Sequence, residues 1–200
     1  MTAENIPDDN LHGKGTDVMM LNWLQIHMDV ISLLWLLPVV FMFHDFEEIL
    51  TVESWGNKHG PAVTASLSPS LRKRMAPMMG MTTRNFAMDV LFVYILIVGV
   101  TFVAVFLEFY WLYLAVLAAL LLHVFTHLAQ SMVLKLYTPG VVTALLVIFP
   151  YSLYAFYRLL HEGVVSEADI GWSLLLMLIL TPPLVWGLMK KRTRHKHSEE

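Results

Sequence analysis

Five apolar runs set the limits on what this chain can fold into. Each is about twenty residues long, the length a helix needs to cross roughly 30 Å of hydrocarbon at 1.5 Å per residue. They cover residues 26–50, 85–107, 110–134, 140–160 and 170–189. Backbone groups cannot stay unsatisfied in lipid, which leaves only helices or a closed barrel. Continuous apolar runs without two-residue alternation select helices. The expected fold is therefore all-α: a polytopic transmembrane bundle of about five helices forming one membrane domain over residues 26–189. A polar segment 1–25 precedes it, a basic loop 51–84 interrupts it, and a basic, His-containing tail 190–200 follows. Met1 to Asp17 is mildly acidic and lacks the basic start of a cleavable signal, so the first apolar run is expected to be retained.

Charge distribution predicts the orientation. Only 14% of the residues are charged, against about 25% in soluble domains. Lys58, Arg72, Lys73, Arg74 and Arg84 lie between the first two runs, Lys135 between the third and fourth, and Lys190, Lys191, Arg192, Arg194 and Lys196 in the tail. The other side carries Lys14 and Arg158 beside acidic Glu162, Glu167 and Asp169. Basic residues mark cytoplasmic loops, so the N-terminus is expected outside and the C-terminus in the cytoplasm, in a cytoplasmic (inner) membrane. An odd number of crossings agrees. Phe109, Tyr110, Trp111 and Tyr113 then fall where an external aromatic belt belongs, and Tyr151, Tyr154 and Arg158 read as an interfacial anchor. Ser70 to Met81 reads as a basic topogenic loop, with a segment lying on the cytoplasmic membrane surface as the alternative. Pro38 and Pro150 are expected to kink their helices, and Thr138-Pro139 reads as a cap and first-turn proline opening the fourth helix.

The net charge of −3 argues against a nucleic-acid binder. Cysteine is absent, which excludes disulfides, iron–sulfur clusters and thiolate metal sites. Any metal must be held by His and carboxylate.

Polar residues inside the apolar runs are the candidate site. His44, Glu47 and Glu48, at i, i+3 and i+4, share one face of the first helix. His123 and His127 are four apart on the third, with Thr126 and Gln130 continuing their stripe, and Asn85 and Asp89 are four apart on the second. With alternating helix directions, all these groups fall in the cytoplasmic half of the membrane. An ionised group at mid-membrane costs about 2.5–3.5 kcal/mol on insertion scales, so the carboxylates require protonation, pairing, water or a metal. Two imidazoles with carboxylates suit zinc, iron or manganese. The expected ligands of such a divalent metal are His44, Glu47, Glu48, His123 and His127, with Glu48 and Glu47 as catalytic carboxylates and Asn85, Asp89 and Gln130 supporting the ligands. Without a metal the same groups suit general acid–base chemistry. Interhelical polar contacts also serve simply as glue, the competing structural explanation.

The run His44-Asp45-Phe46-Glu47-Glu48 resembles the signature of the HXXEE-domain family of small bacterial and archaeal membrane proteins. The stretch His123 to Tyr151, with His127, Tyr137-Thr138-Pro139-Gly140, Thr143 and Pro150, is similar as well. The resemblance runs from the first helix through the fourth, and as the family has no established activity it implies a site rather than a reaction. Paired glutamates and helix-borne histidines are also similar to intramembrane glutamate proteases of the CAAX-processing type. That family places an Arg where this chain has Val52.

The leading functional expectation is a metal-dependent enzyme acting on a lipid or other hydrophobic substrate, with membrane lipids as its surroundings. Alternatives are a proton- or metal-ion-binding or transport protein, a metal-free glutamate hydrolase, haem held by His44 with His123 or His127, and a non-enzymatic membrane subunit.

Overall fold

The computed structural model describes residues 23–65 and 80–197, together with residues 19, 68, 69 and 72, and side chains as far as Gly187. The polar segment Met1 to Asp17, Lys73 and Arg74 of the basic loop, and the side chains of the basic tail lie outside the described residues. Five long helices make up the remainder, and no strand occurs among the described residues. They are α1 (Val30–Ala65), α2 (Thr83–Leu107), α3 (Trp111–Leu134), α4 (Val141–His161) and α5 (Glu167–His197, apolar through Gly187). All five are long and apolar enough to cross a membrane, and many large side chains on their outer faces, such as Ile95 and Leu178, are exposed. Apolar residues on both faces are what a lipid-embedded helix requires.

α1 does not stop near Leu50. Its 36 residues rise about 54 Å, far more than a roughly 30 Å core, so the largely polar stretch past Leu50 is surplus to a crossing. Glu53 on this extension accepts a hydrogen bond from the Thr83 N–H (2.6 Å), while Thr82 caps α2 through the Asn85 N–H (3.3 Å). A carboxylate at a helix N-terminus complements its dipole, and the contact fixes the start of α2 against α1.

Two prolines shape the bundle. Pro38 has no N–H for the Leu34 carbonyl one turn back. The Tyr113 hydroxyl approaches that oxygen (3.5 Å), Tyr151 donates to the Leu33 carbonyl (3.0 Å), and the two hydroxyls lie 2.7 Å apart. Lipid could not replace these partners. Tyr113 and Tyr151 are therefore buried core residues, not members of an aromatic belt or anchor. Phe109 and Trp111 do remain exposed. Arg158 is likewise buried. It donates to the Met28 carbonyl (3.0 Å) and the Tyr154 hydroxyl (2.8 Å), and pairs with Glu162. Pro150 follows a π-helical stretch, Ala144–Ile148, within α4. Missing donors and ring crowding at a proline favour such local widening.

The start of α4 also differs from the expected cap. The Val141 N–H donates to the Thr138 carbonyl (3.2 Å), and Gly140 has φ 84°, ψ −12°. Proline at the second position and a positive-φ glycine at the third make Thr138–Val141 a type II turn. Gly140, not Thr138, is thus the residue that opens α4. α2 packs on α1, α5 packs on α3, and the first turns of α4 touch both α1 and α3. The core between them is formed by Leu33, Leu37, Leu114, Leu117, Ile148 and Leu159.

Candidate metal centre

His44 and Glu48 project from one face of α1, and His123 and His127 from one face of α3. One donor atom from each of the four lies within 4.8 Å of all the others. His127 Nε2 is 2.8 Å from His123 Nε2 and 3.3 Å from Glu48 Oε1. The His44 ring stands edge-on to both other imidazoles, with centroids 5.0 Å and 5.3 Å away. His44 is fully buried, and His127 nearly so.

The wall of this group comes from the 135–143 segment. His44 Nδ1 lies 3.0 Å from Thr143 Oγ1, and that hydroxyl donates to Glu47 Oε2 (2.6 Å). With its proton committed to Glu47, the Thr143 oxygen accepts from His44, which assigns the proton to Nδ1 and leaves the lone pair on Nε2. His44 Nε2 is buried and has no hydrogen-bond partner among the described residues. A buried nitrogen with a free lone pair, held in place by its other nitrogen, is how ligating histidines are presented. The donor set of three imidazoles and one carboxylate fits zinc, iron or manganese.

Glu47 lies outside the four-residue group. Its Oε1 accepts from the Tyr137 hydroxyl (2.6 Å), and its Oε2 accepts from the Thr143 N–H (2.8 Å) as well as from the Thr143 hydroxyl. It clamps the first turn of α4 to α1, where its charge faces a helix N-terminus. Burial, followed by the Glu47 hydrogen bond, pushes the Tyr137 phenol up to about 12, so it stays a donor at neutral pH. The Trp55 indole holds the Tyr137 carbonyl (2.6 Å). Gly140 fits the remaining space. A Cβ there would lie 2.8 Å from Cε1 of both His127 and His44 and 2.9 Å from Glu48 Cγ.

The other sequence-derived candidates separate. Asp89 is buried and faces a cavity that Glu48, His123 and Asp45 also line. Asn85 and Gln130 are exposed. Thr143, Tyr137 and Gly140 carried no chemical signal of their own in the sequence and stood out only through the family resemblance. Asp45 could have been found from the cost of a carboxyl inside an apolar run.

Fold and site together define an all-helical protein with five helices long and apolar enough to cross a membrane and a His/Glu group that could hold a metal ion. More particularly, the chain belongs to the family described as proteins of unknown function with an HXXEE motif, whose family model matches residues 35–155. The matched region contains the four-residue group, Glu47 and the whole segment that walls it. The named letters of the motif split in role: His44 and Glu48 enter the group, and Glu47 braces it. No curated protein and no solved structure matches the chain.

Proposed function

We propose that this protein is a membrane-embedded, metal-dependent enzyme that acts on a lipid or another hydrophobic substrate. In this reading His44, Glu48, His123 and His127 hold one divalent ion, and Glu47 orients His44 through Thr143. The observation that carries it is the convergence of four donor atoms within 4.8 Å beside an apolar cavity lined by two of the same residues, Glu48 and His123. A bound divalent ion supplies Lewis-acid polarisation of a substrate oxygen. That Glu48 borders both group and cavity supports a role for it in taking a proton from the reacting molecule. The Lys/Arg distribution supports an external N-terminus, a cytoplasmic C-terminus and a site in the cytoplasmic half of the membrane.

The 2.8 Å contact between His123 Nε2 and His127 Nε2 favours a second reading. Two imidazoles that close can share a proton, and with Glu48 they would form a metal-free acid–base relay. The test is to incubate total membrane lipid with wild type and Glu48→Gln protein, with and without chelator, and to follow products by mass spectrometry. Chelator-sensitive turnover lost in Glu48→Gln is expected. Turnover indifferent to chelator selects the relay, and turnover retained by Glu48→Gln contradicts both.

A further inference from the structure

Beside the His/Glu group lies a cavity of about 530 Å³ whose two ends differ in chemistry. Asp45, Glu48, Asp89 and His123 reach one end. From there the lining is apolar apart from Thr181, running along α2 to Val100 and along α3 to Leu112, with α5 forming one side. Between Asp89 and Val100, α2 rises about 16 Å at 1.5 Å per residue. An extended chain advances about 1.2 Å per bond, a third of the reach of one extended residue, so this length takes one chain on the order of a dozen carbons. At the back, Val90, Ile97 and Leu120 are buried. At the rim, Leu96, Leu180 and Val185 are 42%, 46% and 47% exposed. The cavity therefore opens sideways between α2 and α5, on an apolar face.

Asp45 points to an occupant. It is 5% exposed, and its Oδ2 has no hydrogen-bond partner among the described residues. A buried carboxyl oxygen without a partner is costly, and the Asp45 side chain lines the polar end of a cavity that a ligand can enter. The Asp45 carboxylate offers that end an acceptor, and a carboxylate or phosphate head, an acceptor itself, would leave it unmet.

We propose that the cavity binds a single-chain amphiphile with a hydrogen-bond-donating head that bears no negative charge, an amine or a hydroxyl, received by Asp45 beside Glu48 and His123. This names the substrate class of the reaction proposed above. It rests on that reading for what befalls the head but not for binding itself.

The probes are radiolabelled tetradecylamine, tetradecanol and tetradecanoate, bound to the full chain in nanodiscs, with empty nanodiscs as the partition blank. Saturable binding of one amine or alcohol per chain is expected, at least about tenfold tighter than tetradecanoate, the scale of one charge-assisted hydrogen bond. A preference for the amine over the alcohol assigns a cationic head, and the reverse assigns a neutral one. Asp45→Asn should weaken the preferred ligand about tenfold. Ala119→Trp and Val116→Trp, which fill the shaft midway, should abolish saturable binding without emptying the His/Glu group. Tetradecanoate binding as tightly as the other two, or saturable binding that survives both Trp variants, overturns the proposal. Metal content is measured on the same samples. Metal-free protein that keeps the head preference sustains this inference and contradicts the metal reading. Metal-loaded protein without saturable binding overturns this inference alone.

Discussion

Replacing Gly140 by alanine tests whether the turn before α4 shapes the His/Glu group. The added Cβ would stand 2.8 Å from both His44 and His127 Cε1 and 2.9 Å from Glu48 Cγ, and something must move. Overpacking of this kind costs about 1–3 kcal/mol. The backbone adds its own penalty: Gly140 has φ +84°, and a left-handed conformation costs an L-residue about 1–2 kcal/mol. The sum is about 2–5 kcal/mol. The cheapest relief is rotation of the two imidazoles away from the turn, which scatters the donor atoms. Two controls separate the contributions. Gly163 has φ +67° with nothing within 4 Å of its Cβ position, so Gly163→Ala meets the backbone penalty alone. Gly99 has neither constraint, and Gly99→Ala should be neutral or slightly stabilising. Thermal stability in detergent and metal content are read on all three. Gly140→Ala should lose the most stability and nearly all metal, Gly163→Ala only a modest amount of stability, and Gly99→Ala neither. If Gly140→Ala were no less stable than Gly163→Ala and kept its metal, the turn would not pack on the site as described.

Other outcomes follow from the same contacts. Glu47→Gln keeps the shape but gives up the carboxylate that takes three hydrogen bonds, so metal affinity should fall about 10–100-fold, measured by competition with a chelating dye. His123→Ala and His127→Ala, which delete donors, should abolish binding in that assay. Tyr151→Phe removes the donor to the Leu33 carbonyl and should lower stability by about 0.6–1.7 kcal/mol, the range for hydrogen bonds inside membrane bundles, with metal content unchanged. A drop in metal with Tyr151→Phe would mean that the Pro38 break and the site are coupled. Reporter fusions at Thr2 and Ser198 should report opposite sides of the membrane, and finding both on one side would remove the five-crossing topology.

The spans were legible because a bilayer imposes length and polarity together, and the shared depth of His44, Glu48, His123 and His127 followed from the alternation of helix directions. What was not legible has physical causes. The run of α1 to Ala65 carries no lipid signal, since a polar helix outside the membrane reads like a loop. Tyr113 and Tyr151 looked interfacial because Tyr is at home there. Only the Leu33 and Leu34 carbonyls beside Pro38, far from both in sequence, show why they are buried. Glu47 and Glu48 share a face with His44, so helical spacing alone could not divide them. The division depends on Thr143 and Tyr137 lying opposite Glu47, a long-range contact that no local pattern encodes. Gln130 continues the His123 stripe by period but sits almost a turn beyond the group, and it is exposed.

The most direct test of the central claim is elemental analysis of the purified full chain, taken with its visible absorption spectrum, for wild type and for His44→Ala, Glu48→Gln, His123→Ala and His127→Ala. About one zinc, iron or manganese per wild-type chain, with a sharp loss in each of the four variants, is the predicted result. A wild-type protein without metal, a Soret band, or metal retained in all four variants would contradict it.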